Sequence, residues 1–357
     1  MCGRRAREGG RVKVLLTGHH GYIGSVVAPV LGAAGHDVTG LDVFFYRGCD
    51  LLPDGKLIDS VTLDVRDTEP AHLKGYDAVV HLAALSNDPL GDLSPTLTAD
   101  INYHGTLAVA RAAKTVGVNR FVFSSSCSMY GAPSRDDLVG EEAALKPLTA
   151  YAESKVRSEE SLAELADGSF SPVFMRNATA YGVSNRLRMD LVLNNLTAWA
   201  FTTGRIRIVS DGTPWRPLVH VEDIAHAIAA VLEAPTELTH NEAFNVGFAS
   251  ENYQIRDLAE IVRERLPESS IEYAEDGDSD RRSYRVNFSK FARAFPDFPQ
   301  RWDARRGVDQ LVEAYARVGL TLDDFVGPRY TRLKRLRELM AAGSLDDKLR
   351  WSPVEAA

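Results

Sequence analysis

Residues 12–24 read VKVLLTGHHGYIG, an apolar run followed by three spaced glycines. The run at 12–17 predicts a strand, and the pattern at 22–32 predicts the helix after it. Gly18 permits the tight turn between them, Gly21 lets the backbone approach a diphosphate, and Gly24 lets the helix pack close to the strand. A helix N-terminus offers free N–H groups and a positive dipole end, so this unit predicts a phosphate site; a turn without ligand is the alternative.

An acidic residue follows the glycine turn at a suitable distance. Asp42 ends the next predicted strand, 18 positions after Gly24. Its carboxylate can accept hydrogen bonds from the adenosine ribose hydroxyls and would repel a 2′-phosphate, so the predicted cofactor is NAD rather than NADP. His19 and His20 are interpreted as exposed loop residues, because no metal-ligand spacing surrounds them, and no metal site is expected.

Strands and helices alternate through the first half of the chain. Further strands are predicted at 37–41, 60–63, 78–82, 120–124 and 172–176, and helices at 95–116 and 151–166. This alternation predicts an α/β fold, a doubly wound parallel sheet (Rossmann) with helices on both faces. After about residue 180 the elements become irregular, which indicates a smaller α+β substrate-binding lobe.

Four segments follow from this reading of the sequence. Residues 1–11 are expected to be a flexible N-terminal tail, and 12–182 the NAD-binding Rossmann domain. Residues 183–328 are expected to form mainly the substrate-binding lobe, partly interleaved with the first domain. In 329–357 basic and apolar positions alternate at helical spacing, which predicts a C-terminal amphipathic helix packed on the body of the protein.

The composition excludes several classes of protein. The chain has 357 residues, 45% hydrophobic and 25% charged, as in folded globular proteins, and no apolar run approaches the length of a membrane-spanning helix. The start has no apolar core of a signal peptide, so a cytoplasmic location is expected. Three separated cysteines argue against a disulfide framework, and the net charge of −8 argues against a nucleic-acid surface.

A second set of residues suggests acid–base chemistry. Tyr151 and Lys155 are four positions apart, on one face of a predicted helix. The run Ser124-Ser125-Ser126-Cys127-Ser128 follows a predicted strand, where parallel sheets bind ligands. A nearby ammonium favours the phenolate of a tyrosine, and the Ser126 hydroxyl can hold the reacting oxygen. These residues therefore predict removal of a proton from a substrate alcohol.

The order of the motifs resembles that of the extended short-chain dehydrogenase/reductases, and within them the NAD-dependent epimerase/dehydratase group that acts on nucleotide sugars. The resemblance covers about residues 12–290. Besides the glycine turn, the serine run and the Tyr151 and Lys155 pair, it rests on Leu63-Asp64-Val65, His81-Leu82-Ala83-Ala84, Asn102-Tyr103-His104-Gly105-Thr106 and Arg216-Pro217-Leu218-Val219-His220-Val221-Glu222-Asp223.

The resemblance implies a role for each matching residue, with a nucleotide-diphosphate sugar as the substrate. The implied catalytic residues are Ser126, Tyr151 and Lys155. The implied cofactor contacts are Gly18, Gly21, Tyr22, Ile23, Gly24, Asp42, Asp64, Val65, Leu82, Ala83, Ala84, Asn102, Tyr151 and Lys155. Asn102 can equally be a structural helix residue. The implied substrate contacts are Ser86, Ser128, Asn177, Thr179, Arg216, Arg281 and Arg282; surface salt bridges are the alternative for the arginines.

The sequence departs from the family pattern at two places. Members that dehydrate or decarboxylate the sugar carry an acidic residue, often an Asp-Glu pair, where this chain has Cys127 and Ser128. Cys127 is either a second acid/base or, as we expect, a small buried residue. Thr179 stands where the family has an asparagine that touches the substrate, with Asn177 nearby.

The resulting prediction is an NAD-dependent epimerase that works through a transient 4-keto sugar, with Tyr151 as the base. An NAD(P)H-dependent sugar ketoreductase and a non-catalytic NAD-sensing protein on the same fold are the alternatives. The intact set of Ser126, Tyr151 and Lys155 counts against the sensor, which has no need of a base.

A homodimer is also predicted from the resemblance. The helices at 99–113 and 151–165 match those that form a four-helix interface in the family, and both carry small or apolar residues at helical spacing: Ala99, Thr106, Ala110, Ala152, Val156 and Leu162. The alternative is that these faces only pack on the sheet.

Overall fold

The computed structural model describes residues 10–52, 58–86, 94–133, 138–273 and 283–352. Its strands are β1 (Lys13–Thr17), β2 (Asp37–Asp42), β3 (Ser60–Thr62), β4 (Ala78–His81), β5 (Arg120–Ser126), β6 (Leu138–Val139), β7 (Ser171–Asn177), β8 (Thr179–Tyr181), β9 (Arg205–Ile208), β10 (Trp215–His220), β11 (Glu242–Val246), β12 (Asn252–Gln254), β13 (Ser270–Tyr273) and β14 (Arg285–Val286).

The helices are α1 (Gly24–Ala33), α2 (Pro95–Thr98), α3 (Gly105–Thr115), α4 (Ala150–Leu165), α5 (Val192–Thr203), α6 (Val221–Glu233), α7 (Thr236–Thr239), α8 (Ile255–Arg265), α9 (Ser289–Ala294), α10 (Ala304–Val318), α11 (Leu322–Val326) and α12 (Arg332–Ala341). A π-helical segment, Ala99–His104, joins α2 to α3, so the helix predicted over 95–116 exists with one wider turn.

Seven parallel strands form the central sheet, in the order β11-β7-β5-β4-β1-β2-β3. The chain builds outward from β1 to β3, then crosses over and builds outward from β4 in the other direction. The order therefore reverses between β1 and β4, where Thr17 lies beside His81. In such sheets ligands bind in the crevice at the carboxyl ends of the strands at this switch point. The predicted doubly wound Rossmann fold is confirmed.

Apolar side chains fill both faces of the sheet. Along β1, Val14 and Leu16 belong to one buried cluster, and Leu15 belongs to another. This alternation follows from the two-residue period of a strand, and it leaves no face of β1 for solvent. Helices α1 and α6 cover the first face, and α3 and α4 cover the second.

The second half of the chain forms smaller layers beside the main sheet. One small sheet has the order β12-β10-β8, and β9 pairs with β13 in parallel. Helices α5, α8 and α10 share a buried apolar cluster with these strands. Strand β11, from this same half, returns to the edge of the central sheet beside β7. Strand β11 thus adds a seventh strand to the sheet of the first half, while the predicted domain bounds remain a prediction.

The C-terminal helix is shorter than the sequence pattern suggested. Helix α12 ends at Ala341, and Gly343 has a left-handed backbone with φ of 72°. The chain then turns back, and Leu345 and Trp351 form an antiparallel bridge. A helix over 329–357 is therefore wrong for residues 342–352, because the glycine reverses the chain, and residues 353–357 lie outside the described residues. We call residues 329–352 the C-terminal strap. Across the described ranges, no helix is long and apolar enough to cross a membrane.

Candidate active site

The glycine turn is as tight as the sequence predicted. Gly18 has φ of 72°, and a Cβ there would lie 2.7 Å from the backbone nitrogen of Ala83. A Cβ on Gly24 would overlap the carbonyl oxygen of Gly18. Larger residues at these positions would push α1 and the loop after β4 away from β1. The spacing of the glycines therefore serves close packing at the switch point, whether or not a ligand is bound.

A cleft with about 890 Å³ of space, partly open to solvent, lies above this turn. It is lined by Gly18, Gly21, Tyr22, Ile23, Gly24, Leu41, Asp42, Val43, Phe45, Tyr46, Leu63, Asp64, Val65, Leu82, Ala83, Ala84, Leu85, Ser86, Ile101, Arg188 and Arg332. The fold thus brings most of the predicted cofactor contacts into one cavity.

Asp42 is held rigidly at the end of β2. Its two carboxylate oxygens accept backbone hydrogen bonds from His20 (3.0 Å) and Phe44 (2.8 Å). Burial raises the pKa of Asp42. A carboxylate oxygen has more than one acceptor site, so hydroxyl groups of a ligand can still bind here.

The two histidines of the turn are not the exposed loop residues that were expected. His19 is buried against Gly40, and a Cβ on that glycine would collide with the imidazole ring. His20 is half-buried and bonds to Arg186. Burial and the charge of Arg186 lower the pKa of His20 to about 3, so this ring is neutral at physiological pH. The interpretation failed because the partners of both rings come from distant segments.

Tyr22 joins the turn to the second half of the chain. Its hydroxyl donates a 2.8 Å hydrogen bond to the carbonyl oxygen of Gly182, and burial raises the pKa of its phenol. The Tyr22 hydroxyl is therefore committed to a structural contact, although the residue also lines the cleft. On the other side, His81 bridges the hydroxyls of Thr17 (2.8 Å) and Thr106 (2.9 Å). Burial lowers the pKa of His81 to about 3, so it acts as a neutral cross-link.

Asp64 lies in the cleft with its carboxylate already engaged. It caps the short helical turn Val65–Asp67 by accepting a hydrogen bond from the backbone nitrogen of Arg66 (2.9 Å). The Arg66 guanidinium pairs with it at 2.7 Å, and Arg350 of the strap pairs with it at 3.2 Å. The adenine contact implied for Asp64 and Val65 remains a prediction.

The contacts of Asn102 support the structural alternative for this residue. Its amide oxygen accepts a hydrogen bond from the backbone nitrogen of Leu85 (2.7 Å). Its amide nitrogen donates to the Leu85 carbonyl (3.1 Å) and to the Ser154 hydroxyl (3.2 Å). Asn102 therefore fastens the loop after β4 to helix α4, one position before Lys155.

The predicted catalytic residues lie at the end of β5 and in the first two turns of α4. Thr149 caps α4 by accepting a hydrogen bond from the backbone nitrogen of Ala152, which places Tyr151 in the first turn. Lys155 follows one turn later, with its Nζ 5.8 Å from the centre of the Tyr151 ring. Ser126 is the last residue of β5, and its hydroxyl accepts a hydrogen bond from the backbone nitrogen of Ser128.

Lys155 is an unusual lysine because it is only 4% exposed. Its Nζ donates a 2.6 Å hydrogen bond to the Ser124 carbonyl and lies 4.6 Å from the centre of the Phe123 ring. Burial lowers its pKa to about 7, although the Glu159 carboxylate opposes this change. A lysine with this pKa can change its protonation state near neutral pH, a property that is common at catalytic sites.

Two polar atoms at the ends of β5 and β7 have no partner. Asn177 is in register with Ser126, and its amide nitrogen donates to the Ser124 hydroxyl at 3.0 Å. The amide oxygen of Asn177 and the hydroxyl of Ser128 are both buried without a hydrogen bond among the described residues. Buried polar atoms are rarely left unsatisfied, so these two point to a polar ligand at this position.

Cys127, unlike Ser128 and Asn177, has no unpartnered polar side-chain atom. It is 1% exposed, and its thiol contacts the carbonyl oxygen of Arg176 at 3.1 Å. Burial raises the pKa of Cys127, which keeps the group a neutral thiol. These contacts support the small buried residue over the second acid/base.

The remaining predicted substrate contacts are spread over several elements. Ser86 accepts a 3.1 Å hydrogen bond from Arg188 within the cleft, and Thr179 lies half-buried on β8. Arg216 is buried on β10, and its guanidinium donates to the Trp215 carbonyl at 2.8 Å, so it is not a surface residue. Arg281 and Arg282 lie outside the described residues.

Sequence reasoning missed two arginines that line the cleft. Arg188 is buried and pairs with Asp190, and Arg332 comes from the C-terminal strap. The Arg-x-Asp spacing was a weak signal for the first, since such pairs are common on surfaces. Nothing near position 332 distinguishes that arginine from its exposed neighbours.

Most residues of the predicted dimer faces are buried within the single chain. Thr106, Ala110, Ala152 and Leu162 are buried there, while Ala99 and Val156 are half-buried. This burial agrees with the alternative that these faces pack on the sheet. The homodimer remains a prediction, and light scattering at micromolar concentration tests it.

Comparison with known proteins agrees with this geometry. The model of the NAD dependent epimerase/dehydratase family matches residues 14–247. The UDP-glucose 4-epimerase of Corynebacterium glutamicum is 31% identical over 267 residues, which are 71% of this chain and 80% of that protein. The UDP-glucuronic acid decarboxylase 1 of Arabidopsis thaliana is 25% identical over 89% of this chain and 73% of that protein.

Solved structures show a similar relationship. The structure of MoeE5 in complex with UDP-glucuronic acid and NAD superposes with a TM-score of 0.72 and 26% identity. The superposition covers 85% of this chain and 99% of MoeE5. The shared region therefore includes both the large sheet and most of the smaller layers described above.

Proposed function

The chain belongs to the NAD dependent epimerase/dehydratase family, and from that premise we propose that it inverts one carbon of a nucleotide-diphosphate sugar. The family is NAD-dependent, and its members here include both an epimerase and a decarboxylase. The choice between these reactions therefore rests on the residues of this chain.

The cleft fits NAD in three respects. The glycine turn and Gly24, the first residue of α1, line the cleft, so the N-terminal end of this helix is available to a diphosphate. Asp42 offers carboxylate oxygens for ribose hydroxyls at the end of β2. Tyr151 and Lys155 do not line the cleft themselves, but Asn102 connects Leu85 of its lining to Ser154, next to Lys155, so we place the nicotinamide at this end. NAD bound there supplies reversible acceptance of a hydride from the sugar.

Tyr151 is the catalytic base in this proposal. Its phenol is half-buried at the start of α4, where a sugar hydroxyl can reach it. The Lys155 ammonium stabilises the phenolate by charge, and the Ser126 hydroxyl supplies a hydrogen bond to the same sugar oxygen. Ser128 and Asn177 would bind further sugar hydroxyls with their unpartnered oxygen atoms.

The neutral pair at positions 127 and 128 supports inversion over elimination. Loss of water from a 4-keto sugar requires a base for the C5 proton and an acid for the departing hydroxyl, and loss of carbon dioxide leaves a carbanion equivalent at C5 that must take up a proton. Cys127 is buried and stays a neutral thiol, and serine is a far weaker acid than a carboxyl group. General acid–base help contributes about 10²–10⁴-fold per group, so this chain should return its intermediate to a sugar of unchanged mass. The neutral Cys127 and Ser128 pair is the observation that supports epimerisation most directly.

Mass spectrometry and NMR of the reaction product test the proposal. With UDP-glucose and related sugar nucleotides, and with no added cofactor, we expect a product of the same mass with one inverted centre. A product lighter by one water, or a requirement for added NADPH, would contradict epimerisation. Absence of turnover with every sugar nucleotide would favour the sensor. The Cys127→Ala variant is the control, and it should retain most of the activity.

The cofactor preference of the cleft should depend on Asp42. In Asp42→Ala the affinity for NAD should fall about 10–100-fold, because hydrogen bonds from the ribose hydroxyls to a charged group are lost. The affinity for NADP should rise, because the like charge is gone. Calorimetric titration measures both. Asp37→Ala, at the other end of β2, is the matched control, and equal binding of NAD and NADP by the unmodified protein would refute this role.

A further inference from the structure

Arg332 is a buried cation with part of its guanidinium unused. It begins helix α12 and is 2% exposed. One terminal nitrogen donates a 2.7 Å hydrogen bond to the Arg186 carbonyl, and the guanidinium carbon lies 3.7 Å from the centre of the Tyr46 ring. The other terminal nitrogen, Nη1, is buried and has no hydrogen-bond partner among the described residues. Arg332 also lines the cleft.

Arg332 has a cation, Arg188, and a carboxylate, Asp190, nearby, but no ion-pair partner of its own among the described residues. Arg188 is paired with Asp190, and Arg186 is paired with Asp50. No carboxylate in the described part of the chain forms an ion pair with Arg332, and the charge of Arg188 acts on it from within the same cleft. A buried charge without a counter-ion is costly, so this arrangement favours an anion as the missing partner.

The strap that carries Arg332 is attached to both walls of this end of the cleft. Trp351 donates a 2.6 Å hydrogen bond from its indole nitrogen to the Val43 carbonyl, just after β2. Arg66, after β3, donates at 2.9 Å to the Lys348 carbonyl, and Arg350 pairs with Asp67. Buried leucines anchor the strap to the sheet: Leu336, Leu339, Leu345 and Leu349.

We propose that Arg332 binds the diphosphate of NAD and that the C-terminal strap thereby retains the dinucleotide. The inference rests on the proposed placement of NAD in the cleft. The diphosphate is the anionic part of NAD, and the glycine turn that suits it lines the same cavity. A guanidinium matches phosphate oxygens in shape as well as charge. A 2′-phosphate is the poorer candidate, because the Asp42 carboxylate stands where it would lie.

Titration calorimetry of nucleotide-free protein with NAD, ADP and adenosine tests this role. In Arg332→Gln the affinities for NAD and ADP should fall about 10–100-fold, since a hydrogen bond to a charged group is lost. Adenosine has no phosphate, so its affinity, measured by competition, should change less than twofold. Arg332→Lys should recover part of the loss. Arg337→Gln, an exposed position on the same helix, is the charge-matched control and should bind all three ligands normally.

The outcomes separate the possible roles of Arg332. An equal loss for adenosine, ADP and NAD would show that the residue only holds the strap in place, and it would overturn the proposal. Unchanged affinity for NAD would overturn it as well. These measurements need no sugar turnover, so they remain decisive if the enzyme proves to be a ketoreductase or a sensor. If Asp42→Ala and Arg332→Gln both left NAD binding unchanged, the placement of NAD would itself be wrong.

Discussion

Tyr151→Phe is expected to lower turnover by about 10²–10⁴-fold while leaving NAD bound. The substitution removes the phenolic oxygen that takes the proton from the sugar hydroxyl and keeps the aromatic ring. The ammonium of Lys155 is held by the Ser124 carbonyl and the Phe123 ring, so its position does not depend on the phenol. Steady-state rates and the NAD content of the denatured protein are the two measurements.

Tyr103→Phe is the matched control for this variant. The Tyr103 hydroxyl bonds to Ser161 at 3.1 Å on the outer side of the neighbouring helices, away from the cleft. Its loss should leave the turnover nearly unchanged. If Tyr151→Phe kept more than a few per cent of the rate, another group would have to be the base. If it lost NAD as well, the residue would be mainly a cofactor contact.

Lys155→Met is expected to abolish most turnover and yet stabilise the fold. Turnover should fall at least about 100-fold, because the ammonium no longer favours the phenolate. Retention of NAD should also weaken, since Lys155 is expected to hold the nicotinamide ribose. The effect on the free energy of unfolding has the opposite sign, because a buried ammonium is costly and an apolar side chain is not; we expect a gain of about 1–4 kcal/mol, the range seen when buried ion pairs are replaced by apolar residues.

The stabilisation should depend on pH in a defined direction. The pKa of Lys155 is about 7 in the folded protein against 10.5 in the unfolded chain, so between these values the unfolded chain binds more protons. The stability of the unmodified protein therefore rises with pH across this window. The advantage of Lys155→Met should be largest at or below pH 7 and should shrink toward pH 10.5.

Urea unfolding of the two proteins at pH 6 and at pH 9 measures this difference. Lys146→Met, at an exposed position, is the control and should change the free energy of unfolding by less than about 0.5 kcal/mol at either pH. A loss of stability in Lys155→Met at pH 6 would show that the hydrogen bond to the Ser124 carbonyl outweighs the cost of burying the ammonium.

Local spacing allowed the sequence to predict the central sheet and the core of the site. A strand, a tight turn and a helix are specified by residues within about a dozen positions, so Gly18 and Gly24 indicate the switch point before any tertiary contact is known. Tyr151 and Lys155 share a helix face because of the helical repeat alone. Six of the seven strands of the central sheet begin and end within about two residues of the predicted ones for the same reason, whereas β11 was not predicted.

Tertiary structure alone decided the rest, because burial and partners depend on contacts between distant segments. Position 127 allowed two interpretations in the sequence, a second acid/base or a small buried residue, and the contact with the Arg176 carbonyl on β7 favours the buried residue. Asn102 forms hydrogen bonds with Leu85 and Ser154, and the His19 ring packs against Gly40. Arg332 reaches Arg186 across 146 positions, a separation over which no periodic pattern carries information. The sequence by itself determined the sheet, the glycine turn and the catalytic pair, since each is short-range; the fold decided which charges line the cleft.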